Sequence, residues 1–235
     1  MNIIDLAVLA VLALFALAGY YRGFLTTLLN LGAYLLSALL GFLIMPLAAG
    51  GIKGSESLYN MMLYYTEGSE YIENAEYVRA NISSLSSAQL SDILSSGSLP
   101  YPMGKEIAKN IAKEAFAEQG IVTLGDYFNQ TIVCVFINIL MFLLVFAIVR
   151  AILAFVINGM DYAWTFPVLR SGDSLLGLGL GVLRGMFALF LLFMLFPIAL
   201  TVLGQFEQIH AMVADSLFAA FFYRSNFLLA LIPGA

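Results

Sequence analysis

The stretch Gly172–Gly185 reads Gly-Asp-Ser-Leu-Leu-Gly-Leu-Gly-Leu-Gly-Val-Leu-Arg-Gly and runs directly into nineteen uncharged residues, 186–204. Gly177, Gly181 and Gly185 recur at i, i+4 and i+8, which on a helix places them on one face where another backbone can approach closely. An apolar helix needs no such stripe merely to sit in lipid. The stripe therefore predicts a packed partner, and with it a helix-packing and assembly role for these three glycines.

Three further apolar runs decide the class. Residues 3–21 and 24–49 are separated only by Arg22-Gly23, and residues 131–157 are interrupted only by Arg150. With 62% hydrophobic and 11% charged residues, against roughly 25% charged in a soluble domain, the chain cannot hide its apolar side chains in a water-soluble core of this size. The expected fold is all-α: a polytopic membrane protein of about four transmembrane helices, with a helical extramembrane insertion and an amphipathic C-terminal segment. Residues 1–49 form a transmembrane hairpin (3–21 and 24–49). Residues 50–130 form an acidic insertion, and 131–204 a second transmembrane pair (131–157 and 174–204). Residues 205–235 form an interfacial tail. Ala16-Leu17-Ala18 looks like a signal-peptide cleavage site, but the preceding region carries Asp5 and no Lys or Arg, so the hairpin is the reading taken.

The 174–204 run would measure about 46 Å as one helix, longer than the ~30 Å hydrocarbon core. Either it starts at Asp173 as N-cap and projects from the bilayer, or its glycine part is interfacial or re-entrant.

The net charge of −5 resides in 50–129, where ten acidic side chains face five basic ones. Glu67, Glu70, Glu73 and Glu76 recur every third residue and read as a solvated helix face. Ser86 with Gln89 is a capping-box signature opening a helix to about Ser95. Residues 105–119 read as an amphipathic helix, with Ile107, Ala108, Ile111, Ala112, Ala115 and Phe116 on one stripe and Lys105, Lys109 and Lys113 on another. Asp161, Tyr162, Trp164, Phe166 and Pro167 read as an aromatic interfacial connector.

Reactive chemistry is sparse. His210 and Cys134 lie in different segments and make neither a metal set nor a nucleophile pair; Cys134 reads as a core residue. No phosphate-binding loop or basic nucleic-acid surface is present. No enzyme activity, metal or cofactor is expected. Asn81-Ile-Ser83 and Asn129-Gln-Thr131 match the glycosylation pattern, which is frequent by chance. The candidate functional residues are the charges in or beside the membrane: Asp5, Arg22, Arg150, Asp173 and Arg184. Arg22, Arg150 and Arg170 fall on one side under a four-span layout. The positive-inside rule makes that side cytoplasmic and puts the acidic insertion and both termini outside.

Asn2-Ile3-Ile4-Asp5, Gly19-Tyr20-Tyr21-Arg22-Gly23-Phe24, Asp173-Ser174-Leu175-Leu176-Gly177 and Gly181-Val182-Leu183-Arg184-Gly185, with a weaker end from Ser216-Leu217 through Tyr223 and Asn226, resemble the bacterial colicin V production (CvpA-like) family. Residues 55–125 stand apart as an insertion that small members lack. The resemblance implies a multi-pass plasma (inner) membrane protein without enzymatic activity, linked to bacteriocin production or export and envelope homeostasis. It implies an accessory or scaffold role, with the lipid bilayer, a second copy or another membrane protein as partner. The alternative is a small oligomeric channel or transporter with Arg184 lining the pathway.

Overall fold

A computed structural model of the chain describes residues 2–163, 173–202 and 215–235. Every extended element is helical: α1 (Ile3–Lys53), α2 (Glu56–Thr66), α3 (Ala75–Val78), α4 (Ser87–Ser96), α5 (Met103–Ala112), α6 (Leu124–Ala163), α7 (Asp173–Phe193), α8 (Phe196–Val202), α9 (Leu217–Arg224) and α10 (Phe227–Ala230), with short 3-10 turns between α2 and α4 and after α5. The chain is an all-α membrane protein. Three helical stretches, Ile3–Lys53, Leu124–Met160 and Asp173–Val202, are long and apolar enough to cross a bilayer. The side-chain exposure agrees. Leu6, Leu14, Leu39, Leu43 and Leu47 point outward, an arrangement that is stable in lipid and not in water. The predicted aromatic connector beyond Ala163, Arg170, Gly172 and the tail residues 205–214 with His210 lie outside the described residues.

At 51 residues, α1 would reach about 77 Å as a straight rod, far more than one span. It is broken at Gly23, where φ is 76° and ψ 176°. The hydroxyl of Thr27 donates to the carbonyl of Gly19 at 3.4 Å. Eight residues apart on a continuous helix would be about 12 Å apart along the axis, so the chain reverses at Gly23 and residues 3–22 lie against the helix that follows.

The residues divide into two compact units. The first comprises Met1–Pro46, Met141–Met194 and Gln208–Asn226. In it, α6 runs antiparallel to the second limb of α1. Phe142 stacks on Phe42, Phe146 meets Tyr34 edge-on, and Arg150 reaches Asn30. Helix α7 runs antiparallel to the first limb, and its far end packs Phe190 and Phe193 against Phe222 of α9. The predicted 174–204 span is therefore two helices, α7 and α8, with a break after Phe193. The glycine stretch from Asp173 onward is regular helix rather than a re-entrant loop.

The second unit comprises Leu47–Leu140, Leu195–Glu207 and Phe227–Ala235. Its core is the buried start of α6, with Tyr127, Phe128, Ile132 and Phe136, joined by Met103, Ile107, Leu229 and Ile232. Cys134 is a buried core residue beside Phe116 and Tyr127, as its apolar context predicts.

Several expectations need correction. The capping box of Ser86 and Gln89 is present and α4 ends at Ser96. The four glutamates, however, share no helix. Glu67 has a left-handed backbone (φ 31°), Glu70 lies in a 3-10 turn, and only Glu76 belongs to a helix. The 105–119 helix stops at Ala112, and Glu114 then takes a positive φ of 49°. Its buried face is Met103, Glu106, Ile107 and Asn110, because polar partners from the C-terminus meet it there. In the tail, Phe222, Leu228, Leu229 and Ile232 are buried in protein, while Leu217, Phe221, Phe227 and Leu231 face outward.

Candidate functional site

The first unit carries the sequence-predicted residues, and four local arrangements build its site. At the amino end, the Asn2 side chain accepts from the backbone N–H groups of Ile4 and Asp5, at 3.0 and 3.1 Å. Asp5 returns the favour with Oδ2, accepting from Asn2 N–H at 3.0 Å. This is a reciprocal cap that satisfies orphan donors of the first turn. The other oxygen of Asp5 accepts the Ser216 hydroxyl at 2.6 Å and the Phe218 N–H at 3.1 Å. Ser216 itself caps α9 by accepting from Ala219 N–H. One fully buried carboxylate therefore holds two helix N-termini, and both are positive ends of helix dipoles.

At the opposite end, Asp173 opens α7, but its carboxylate does not serve α7 alone. Oδ1 accepts from the N–H of Phe24 at 3.2 Å, capping the limb of α1 that restarts after Gly23. A Cβ on Gly23 would lie 2.1 Å from Asp173 Oδ2. Glycine is required there both for the positive φ and for the approach of the carboxylate.

Between these ends lies the glycine seam. A Cβ on Gly177 would sit 2.4 Å from the Gly19 carbonyl oxygen, and one on Gly181 would sit 2.4 Å from that of Phe15. One on Gly185 would meet the Phe15 side chain at 3.0 Å. Gly179, off the stripe, meets nothing. The predicted packing face is real, but its partner is the first limb of α1 in the same chain. The close approach predicted for these glycines is thus made within the chain, where the sequence reading expected a partner.

The fourth arrangement is cationic. Arg184, 6% exposed, lies with its guanidinium carbon 5.0 Å from the Phe15 ring centroid. Arg150 lies 4.8 Å over the Tyr34 ring and donates to Asn30 Oδ1 at 2.8 Å. Tyr34 joins the two, since its ring meets Phe187, one turn along from Arg184, at 6.2 Å edge-on. Nε of Arg184 and Nε and Nη1 of Arg150 are buried without a hydrogen-bond acceptor. The sequence singled out Arg184 and Arg150 separately; nothing in their spacing announces that Tyr34 and Asn30 bring them together.

Residues 4–79 match the family model described as Colicin V production protein. The match covers about a third of the chain and shows a similarity to that family in the amino-terminal segment. The family match takes in Asp5, the Gly19–Phe24 turn and both limbs of α1. It also runs on to residue 79, through part of the stretch the sequence reading set apart as an insertion. Comparisons with curated proteins and with solved structures gave no match. Its helices make the chain a multi-pass membrane protein, and its amino-terminal third is similar to the colicin V production family.

The second unit holds a separate cleft of about 600 Å³ lined by Tyr64, Glu67, Ser69, Glu70 and Asn129 among others. A hydrogen bond donated to the Glu67 carboxylate, together with the Glu67 charge, pushes the Glu70 carboxyl above its ordinary range. Asn129, part of a sequence match to the glycosylation pattern, accepts from Ser69 N–H at 2.8 Å.

Proposed function

We propose that the chain is a non-enzymatic accessory or scaffold protein of the bacterial envelope that supports production or export of a colicin V-type bacteriocin. One observation carries this reading. Both prominent carboxylates of the first unit, Asp5 and Asp173, accept backbone N–H groups that cap helices, with Asp5 on Phe218 and Asp173 on Phe24. They shape a frame, and their lone pairs are committed to it. Contacts with a second copy or another membrane protein belong on other faces, because residues of α1 and α7 already fill the glycine seam. The orientation that fits is the Arg22 turn in the cytoplasm and the acidic segment outside.

The test is release of active toxin from cells that carry the colicin V determinants and lack this protein. Supplying the chain is expected to raise release; equal release with and without it would overturn the proposal. Orientation is read with a membrane-impermeant thiol reagent on cysteines placed at Tyr21 and at Ser91, and the acidic-segment site should label from outside.

The cationic arrangement favours a second reading, a small oligomeric channel or transporter with Arg184 lining the pathway. Arg184→Gln should then abolish anion flux in proteoliposomes while the protein stays inserted. No flux from the wild type would remove this reading.

A further inference from the structure

The unpartnered donors of Arg150 and Arg184 lie inside the helix packing of the first unit. Arg184 is the twelfth residue of α7, about 16 Å along the helix from Asp173, and Tyr34 lies the same distance past Gly23. The turn at Gly23 carries exposed Tyr21 and Arg22, residues suited to the interface. Contacts with Asn30 and Phe15, seven and eight residues from Gly23, put the two guanidinium groups about 10–12 Å along the helices from that turn, within the span of a ~30 Å hydrocarbon core. Like charges at that depth repel each other, and each has lost its hydration.

What they receive in exchange is incomplete. Two aromatic rings and one Asn30 oxygen stand against two full charges. A cation–π contact is a weak compensation, while an unsatisfied buried donor on a charged group costs more than one on a neutral group. Among the described residues no carboxylate lies within ion-pair distance of either arginine. Asp5 and Asp173, the acidic groups of this unit's helix ends, are occupied by capping. The arrangement has the donors of an anion site.

We infer that Arg150 and Arg184, set by Asn30, Tyr34 and Phe15, form an intramembrane site for a phosphate group, carried either by an anionic phospholipid or as free phosphate. The guanidinium is planar and presents N–H pairs that match phosphate oxygens. Its rotamer is already fixed here by stacking on a ring, so little entropy is lost on binding. Exposed Arg22 extends the positive field toward the turn and draws an anion in. The site stands apart from the scaffold reading and needs no transport: an anion held there offsets the charge of the two arginines.

The experiment uses the full chain purified in uncharged detergent. Inorganic phosphate is titrated while thermal unfolding is followed, and native mass spectrometry compares retained phosphatidylglycerol with phosphatidylcholine. A rise in unfolding temperature with phosphate assigns the free anion. Selective retention of phosphatidylglycerol without that rise assigns the lipid. Arg184→Gln and Arg150→Gln should each weaken the effect roughly tenfold or more. Asn30→Ala, which removes the Arg150 acceptor and a local bond to the Thr26 carbonyl, serves as the milder variant if either glutamine protein fails to fold. Arg79→Gln, in the exposed acidic segment, should change nothing. Wild-type protein with no response to phosphate and no preference between the lipids overturns the proposal. So does an effect that all four variants retain, or one that Arg79→Gln loses equally.

Discussion

The Ser216 hydroxyl donates to Asp5 Oδ1 at 2.6 Å across 211 residues of sequence, and both groups are buried. That bond ties the first turn of α1 to the N-terminus of α9. Asp5→Ala would leave Asn2 N–H, Ser216 and Phe218 N–H without this acceptor, at a cost of about 1–3 kcal/mol for each donor left buried and unpaired. Ser216→Ala removes one of those donors and also the cap on Ala219 N–H, a loss of about 1–2 kcal/mol. The thermal unfolding temperature should fall for both, and further for Asp5→Ala. Limited proteolysis should open residues 215–224 first. The pair should be strongly non-additive, since Ser216 acts largely through Asp5. Additive losses would show that the two caps work separately.

A second prediction concerns the turn. Gly23→Ala places a Cβ 2.1 Å from Asp173 Oδ2 at a backbone φ of 76°. The carboxylate must withdraw, and Phe24 N–H loses its acceptor. Asp173→Asn retains an oxygen for that bond, so it should cost little. Asp173→Ala should resemble Gly23→Ala, at about 1–3 kcal/mol. A cysteine crosslink between Ala16 and Val182 positions reports whether the limb still meets α7, and it should form in Asp173→Asn and be slowed in the other two.

The class of fold was legible because lipid imposes it: uncharged runs long enough to span leave no other backbone solution than helices. Gly177, Gly181 and Gly185 were legible as a packing face for a similar reason, since an i, i+4, i+8 glycine stripe has no use except close approach. What that face meets was not legible. Gly19 lies on α1 in a run of ordinary small and apolar residues, and only the reversal at Gly23 brings it to Gly177. The same limit hid the arginine pair. Arg150 and Arg184 read as separate candidate charges, and nothing in the sequence ties Arg150 to Asn30 and Tyr34 or Arg184 to Phe15. The 105–119 stripe was misread because Glu106 is buried by a distant partner, Gly234, a contact no local periodicity encodes.

Gly181→Leu should therefore disrupt the monomer. The added side chain has no room beside the Phe15 carbonyl, where even a Cβ would be at 2.4 Å. Insertion, which depends on the hydrophobicity of the span, should persist, while the protease-resistant core of the first unit is lost. Gly179→Leu, on the open face, should retain it. Equal protease patterns for the two variants would remove the seam.

Glu70 carries a pH prediction. The Glu67 side chain and its charge hold the Glu70 proton on, so its pKa is raised from the ordinary 4.5. A group that binds its proton more tightly when folded contributes most below its unfolded pKa, and the contribution is lost as pH rises through the raised value. Amide exchange in residues 68–71 should speed up across that window, beyond the usual base catalysis seen at neighbouring sites. Glu67→Gln should abolish the extra step. The carboxyls are solvent-exposed, so added salt should shrink the effect as well.

The last prediction separates packing from charge at the C-terminal end of the second unit. Glu106 is 2% exposed and accepts from Gly234 N–H at 2.9 Å and from Lys109 Nζ at 3.0 Å. Asn110 donates to Gly234 carbonyl at 2.8 Å and to Thr131 at 3.0 Å. Lys109 is 45% exposed, so its ion pair contributes under about 1 kcal/mol. The buried bond to Gly234 is the larger share. Glu106→Gln keeps an oxygen for that N–H and should cost little, whereas Glu106→Ala orphans it for about 1–3 kcal/mol. Gly234→Leu tests the space directly, because a Cβ there would lie 2.7 Å from Glu106 Cβ. Carboxypeptidase digestion of the folded protein reads the outcome. Residues 233–235 should resist in the wild type and Glu106→Gln, and be removed quickly in Glu106→Ala and Gly234→Leu. If Glu106→Gln frees the tail as readily as Glu106→Ala, the charge on Glu106 holds it, and the buried hydrogen bond does not.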